Sequence, residues 1–404
     1  MEEDVQFKLV PVPPEPVEVE DEDDLEKGEL RDLNKTVVAA SDWTTETIIR
    51  QLDRGNIDIN PAFQRRDAWT LTRKSKFIES LILGLPIPQL VLADNKRKKG
   101  SFIVIDGKQR LLTLRQFASK PGDKEYESLS LQDLEVRDDL NGCTLQDLET
   151  DPARAEDLAV FQNQTIRTVV VKNWPNETVL YLIFLRLNTS SVPLSPQELR
   201  QALHPGPFLS FVDDRSARMK GLQKLLNVTK PDFRMRDAEL LVRYFAFKNF
   251  LSGYRGNLKM FLDDTCEELN KNWVRMESKL NDQVDDLEKA LEVCYKIFGE
   301  RNAFRKWEGK DYERRFNRAV FDIMVFYFSQ APVRKKATFK GPLIAKDFER
   351  LCEVDQEFRR SIETTTKSIE ATVTRLNHWG HALSKRLDMT LPVPRLTGRD
   401  ITIK

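Results

Sequence analysis

The chain has 404 residues, with 64 basic and 64 acidic side chains; hydrophobic residues make up 40% and charged ones 32%. That length suits two or three units of ordinary size. No apolar run approaches the ~18 residues needed to cross a bilayer, and an acidic, proline-rich start lacks the basic and apolar stretches of a secretory signal; membrane and secreted classes are set aside, and a cytoplasmic protein is expected.

The zero balance conceals a split. Residues 1–30 hold twelve acids and two bases, a charge of −10, and the remainder carries +10. A basic body behind an acidic tail keeps nucleic acid open as a partner. Residues 1–34, with PVPPEPVEVEDEDD, read as a disordered acidic tail.

Order is expected from residue 35. TVVAA is a short strand, after which Ser41 and Asp42 cap a helix running to about Arg54, with Gly55 as its stop. IDI (57–59) is extended, and so is NPAFQRRDAW (60–69). Adjacent Arg65 and Arg66 point to opposite faces of an extended chain, so at most one serves a given site and the other meets solvent or an acid. Trp69 reads as a core anchor. The spacing of Phe77, Ile78, Leu81 and Ile82 predicts a helix over 70–83. QLVLA (89–93) and SFIVI (101–105) are strands, joined by a turn that bears Lys96, Arg97, Lys98 and Lys99. Such a basic loop suits salt-dependent contact with DNA phosphates; the plainer reading is a solvated hairpin tip.

A helix is expected over 111–118, then a polar surface insertion over 120–150 with one or two weak helices. TIRTVVV (165–171) is a strand and Asn176–Leu187 a helix. Ser195-Pro-Gln-Glu198 is a capping box with proline at the first helical position. Beyond Pro207 helical periodicity takes over, in segments 232–251, 257–279, 281–298, 312–330 and 355–378. The organisation expected is an α+β domain over 35–206, a helical domain over 207–385 and a loose tail over 386–404.

Cys143, Cys266, Cys294 and Cys352 form no CxxC pair. A structural zinc site is therefore not expected, and a reducing compartment is. His378 and His381 read as a solvated pair near a helix end rather than metal ligands. No segment offers the histidines and asparagine of an HNH nuclease module.

The strongest chemical signal is SFIVIDGKQRLLTLRQFA (101–118). Asp-Gly between apolar runs also suits a hairpin, but Leu111, Leu114 and Ala118 follow with helical spacing, so a strand-to-helix turn is expected. There Gly107 lets a ligand approach the backbone, the helix N-terminus favours an anion, Arg110 and Lys108 add charge, and Asp106 offers an oxygen to Mg²⁺. The competing reading makes Asp106 a helix cap and Arg110 a surface charge. In FLRLNTSSVPLSPQELRQA (184–202), Asn188 ends a helix and can bond a ligand, although asparagine is commonplace there.

Taken in order, FQRRDAW, FIESLILGLPIPQLVL, VIDGKQR and FLRLNTSSVPLSPQELRQA resemble the N-terminal domain of GmrSD-type modification-dependent restriction endonucleases over roughly 40–205. The family's DGQQR falls on Asp106, Gly107, Lys108, Gln109 and Arg110, with Lys108 departing from glutamine. Its QR falls on Gln64 and Arg65, and its RLN on Arg186, Leu187 and Asn188. The resemblance implies a ParB/sulfiredoxin-like domain with a small mixed sheet, followed here by an all-α domain. It implies binding of a nucleoside triphosphate with Mg²⁺ by Gln64, Arg65, Gly107, Lys108, Gln109 and Asn188. Hydrolysis would involve Asp106, also the metal ligand, and Arg110. The resulting expectation is a nucleotide-binding, NTP-hydrolysing regulator in DNA recognition or anti-phage defence, without an HNH nuclease domain and with a separate nuclease or defence subunit as partner. The alternative is a non-catalytic DNA-binding or adaptor protein that recruits such an effector.

Overall fold

The computed structural model describes residues 34–57, 59, 66–120, 122–187, 195–364, 366–398 and 400–403. The acidic tail expected over 1–34 lies almost wholly outside them. The first half of the chain is α+β: β1 (Val37–Thr44), α1 (Thr45–Asp53), α2 (Leu71–Ile82), β2 (Leu90–Asp94), β3 (Phe102–Asp106), α3 (Lys108–Phe117), α4 (Leu145–Thr150), α5 (Ala155–Asn163), β4 (Thr165–Lys172), α6 (Glu177–Leu187) and α7 (Pro196–Leu203). The strands form one four-stranded sheet in the order β1-β4-β2-β3. It is mixed, because β2 runs parallel to β4 while β1–β4 and β2–β3 are antiparallel.

The sheet's inner strands are apolar on both sides, and both sides are covered. Leu90, Leu92, Val104, Ile166 and Val170 face α1, α2, α3 and α5. Val91, Ala93, Ile103, Ile105 and Val171 face α6 and α7. This alternation explains why QLVLA, FIVI and TVVV read as unbroken apolar runs.

Two local expectations are corrected. Ser41 and Asp42 do not cap α1: the ladder with β4 continues in register to Thr44↔Thr165. The cap is Thr44, whose side chain accepts from Thr47 N at 3.2 Å. The stretch 120–150 is no mere surface insertion. Tyr126, Leu129, Leu131, Leu134, Leu140 and Leu148 are buried in the main core. They plug it singly, most from irregular chain and Leu148 from the short α4, so they leave no periodic stripe to read.

The second half comprises α8 (Pro207–Arg218), α9 (Lys220–Leu225), α10 (Arg236–Phe250), α11 (Leu258–Lys271), α12 (Trp273–Phe298), α13 (Arg318–Phe328), α14 (Ala331–Ala337), α15 (Gly341–Val354), α16 (Gln356–Glu363) and α17 (Ile369–Leu387). Helix α13 is buried from Ala319 through Phe328, as an apolar helix must be when neighbours surround it. Its one carboxylate, Asp322, takes a two-pronged grip from Arg243 of α10 at 2.6 and 2.7 Å and lies 3.4 Å from Arg375 of α17.

The expected helix over 355–378 is broken: α16 ends at Glu363, and Ser368 caps α17 by accepting from Ala371 N at 3.1 Å. Thr364 and Thr366, both β-branched, fall at that break. His378 and His381 therefore lie inside α17 rather than near its end. Gly380 between them is required by close packing, since a Cβ there would run into the Tyr327 hydroxyl. His378 Nδ1 sits 2.7 Å from Asp355 Oδ2. The expected loose tail is instead a hairpin of β5 (Pro394–Thr397) and β6 (Asp400–Ile403), with Leu391, Val393 and Ile401 buried beside α17. Cysteines 266, 294 and 352 are buried thiols, and burial pushes Cys352 up to about 12.

One apolar core runs from Ile48 in α1 through Leu209 in α8 to Leu391. Polar contacts also cross between the halves: Arg200 Nε meets Asp263 at 2.6 Å, and Asn270 donates to the His204 carbonyl at 3.0 Å. Among the described residues no helix is long and apolar enough to cross a membrane.

Candidate functional site

Strand β3 runs straight into α3 through Gly107, the strand-to-helix turn that the spacing predicts. Gly107 has φ +98°, and a Cβ there would run into the Leu90 side chain beneath it. With no side chain of its own, Gly107 leaves room for the Arg110 guanidinium, whose Nη2 lies 3.1 Å from where a Cβ would stand at the start of this ten-residue helix. The turn is suited to an anion, because the leading N–H groups of a helix point along its axis and carry its positive pole.

Asp106 and Arg110 flank the turn as an i,i+4 pair. Arg110 Nη2 lies 3.2 Å from Asp106 Oδ2 and donates to the Gln89 carbonyl at 2.9 Å. The two are unequal: the Asp106 side chain is 41% exposed and that of Arg110 only 14%. Arg110 thus sits beneath the carboxylate, with Nε buried and without a hydrogen-bond partner. Gln109 Oε1 is buried and unpartnered as well. Neither plain reading holds alone, since Arg110 is not a surface charge.

Lys108 points the other way. It is buried and paired with Glu198 Oε1, whose second oxygen accepts from Ser195 N at 2.8 Å. The capping box of α7 is therefore complete, and its glutamate does double duty as the counterion of the motif's departing lysine. That partnership between α3 and α7, ninety residues apart, left no local signal.

The basic loop between β2 and β3 is largely tied down. Lys96 Nζ lies 3.8 Å from the Trp174 ring centre and donates to the Pro175 carbonyl at 2.9 Å. Lys98 donates to the Gly55 carbonyl at 2.8 Å, and Arg97 lies 3.9 Å from Glu177. Lys99 is exposed.

Gln64, Arg65 and Asn188 lie outside the described residues. Arg66, next in sequence, is the arginine that meets acids, and it meets two. It donates to Asp213 Oδ1 and Asp237 Oδ1 at 2.6 Å each, to the Asp232 carbonyl at 2.7 Å and to Ser216 Oγ at 2.9 Å. Burial works against its charge, but the Asp237 and Asp213 carboxylates outweigh it and hold the guanidinium above its ordinary value. Trp69 is half-buried edge-on to Phe77, with ring centres 5.7 Å apart, as expected of a core anchor. Among the described residues no group of three or more His, Cys, Asp or Glu side chains could hold a metal ion.

The first half of the chain is thus an α+β domain built around a strand–glycine–helix turn with an acid–arginine pair beside it. Residues 45–205 match the family model described as GmrSD restriction endonuclease, N-terminal domain, and this part of the chain belongs to that family. No curated protein and no solved structure matches the chain significantly.

Proposed function

We propose that the 45–205 domain binds a nucleoside triphosphate at the β3–α3 turn and uses it to regulate DNA recognition in a restriction-type, anti-phage defence. The observation that carries this reading is Gly107, held at φ +98° against Leu90 at the N-terminus of α3, with Asp106 and Arg110 beside it. Family membership and the +10 excess beyond residue 30 support the defence and DNA parts. The fold reading that accompanies it is ParB/sulfiredoxin-like.

In this mechanism the N–H groups of the α3 turn and Arg110 bind the phosphates and stabilise charge developing on them. Arg110 is pre-oriented by the Gln89 carbonyl and Asp106. Among the described residues Asp106 is the carboxylate flanking the turn, which suits a Mg²⁺ that would arrive on the phosphates rather than one caged by protein. When bound, that Mg²⁺ would neutralise phosphate charge. Lys108 is a strut to Glu198 here and not a phosphate ligand. Gln64, Arg65 and Asn188 complete the site in the family pattern. In this reading cutting is left to a separate nuclease or defence subunit.

The test is phosphate release from each of the four NTPs with Mg²⁺, comparing wild type with Asp106→Asn and Arg110→Ala. Either variant should lower release by roughly a hundredfold. Equal rates for all three proteins, or no nucleotide binding by wild type, would refute the site. The second reading, a DNA-binding adaptor without hydrolysis, draws on the charge excess. It predicts DNA affinity that falls steeply with salt and ignores nucleotide.

A further inference from the structure

A cavity opens beside β3, between that strand, α7 and the first turn of α8. Its apolar walls are Phe102, Val104 and Leu209. Phe102 is half-buried and held edge-on by Trp43, with ring centres 5.5 Å apart. The polar wall is the Lys108–Glu198 pair and, one turn further along α7, Gln201. Ser210 stands exposed at the rim.

Gln201 is 5% exposed, and neither its amide oxygen nor its amide nitrogen has a hydrogen-bond partner. Buried amides are seldom left so, and an unmet one needs an explanation. A primary amide presents an acceptor beside a donor, and the group that satisfies both at once offers a donor beside an acceptor on one planar edge. Nucleobases carry such edges, and glutamine pairs with them in this two-pronged way. The charges lining the cavity cancel within the Lys108–Glu198 pair, so the site favours a neutral flat ring over an anion. An aromatic wall adds a surface on which a ring can stack.

We propose that this cavity is a nucleobase pocket read by Gln201. Lys108, the residue after Gly107, lines it, so a nucleotide with its phosphates on the α3 turn would have to reach past that side chain to place its base here; this rests on the reading above. A base presented by single-stranded nucleic acid is the other source of the same chemistry.

The full-length protein is titrated with the four NTPs and Mg²⁺, with tripolyphosphate and Mg²⁺, with the four nucleosides, and with a mixed-sequence single-stranded oligonucleotide. Wild type is compared with Gln201→Leu and Ser210→Trp, the second at an exposed helix position where folding is not at stake. At least one NTP should bind wild type roughly tenfold or more tighter than tripolyphosphate. Both variants should erase that difference while holding tripolyphosphate as tightly as wild type.

Should neither NTP nor tripolyphosphate bind, the phosphate site fails. The base pocket still stands if nucleosides or the oligonucleotide bind wild type roughly tenfold better than either variant. If Gln201→Leu does not fold, Ser210→Trp decides alone. The pocket is overturned if base-bearing ligands bind no better than tripolyphosphate, bind equally to the folded variants, or do not bind at all.

Discussion

Replacing Arg66 with methionine, close to it in volume but uncharged, would leave Asp213 and Asp237 facing each other's surroundings with side chains only 2% and 1% exposed. Burial already pushes the Asp237 carboxyl up even with the guanidinium beside it, and its Oδ2 has no hydrogen-bond partner. Without Arg66 that carboxyl must bind a proton to stay inside. Holding an aspartate with an ordinary pKa of about 3.9 protonated at pH 7 costs roughly 4 kcal/mol, and at pH 5 roughly 1.5 kcal/mol. If both carboxylates must be neutralised the neutral-pH loss approaches about 8 kcal/mol; breaking buried ion pairs usually costs about 3–5 kcal/mol. The sign follows from the raised folded pKa: the variant's native state holds more protons than its unfolded chain, so stability lost at neutral pH returns as pH falls. Urea unfolding followed by tryptophan fluorescence at pH 7 and pH 5, on wild type and Arg66→Met, measures both quantities. Adding Asp213→Asn and Asp237→Asn to the variant should recover most of the loss at pH 7. A loss at pH 7 below about 1 kcal/mol, or one that is the same at both pH values, would refute the view that Arg66 neutralises two buried acids.

Gly107→Ala should destabilise the fold by about 2 kcal/mol or more, through positive φ and overlap with Leu90, and should abolish nucleotide binding; a thermal shift within experimental error would contradict it. Lys108→Met strands Glu198 and should cost about 3 kcal/mol, most of it recovered by adding Glu198→Gln. Unchanged stability with weakened nucleotide binding would make Lys108 a phosphate ligand instead. Hydrogen bonds from Arg137 hold the Asp157 and Asp139 carboxyls below the usual carboxylate range. Their contribution is therefore complete above about pH 4 and is lost as pH falls through the lowered values. Wild type should lose thermal stability between pH 4 and pH 2.5 more steeply than Arg137→Gln, and parallel profiles would count against the clamp.

Much of the α+β half was legible because its signals are local. Strand runs, the Ser195–Glu198 box and the Asp106-Gly107 turn each declare themselves within a few residues, and the order of motifs named the family. What escaped depends on distant partners. Lys108 looks like a phosphate ligand until Glu198 arrives from α7, and Arg66 like a spare charge until Asp213 and Asp237 close on it. The leucines of 120–150 enter the core without periodicity, and the 386–404 tail gains order only against α17. Thr44 won the cap from Ser41 because a pairing strand across the sheet outbid a local preference.

The Arg66 contacts also bear on what can be inherited and what can be cut. The family match stops at residue 205, yet the carboxylates that make Arg66 tolerable lie beyond it, at 213 and 237. The stretch recognisable by descent is thus shorter than the stretch that must fold together. A chimera that transplanted only 45–205 onto another effector would carry a buried cation without its counterions. A graft extending through α10 would bring them along, and with them a buried tie from Arg66 to both α8 and α10.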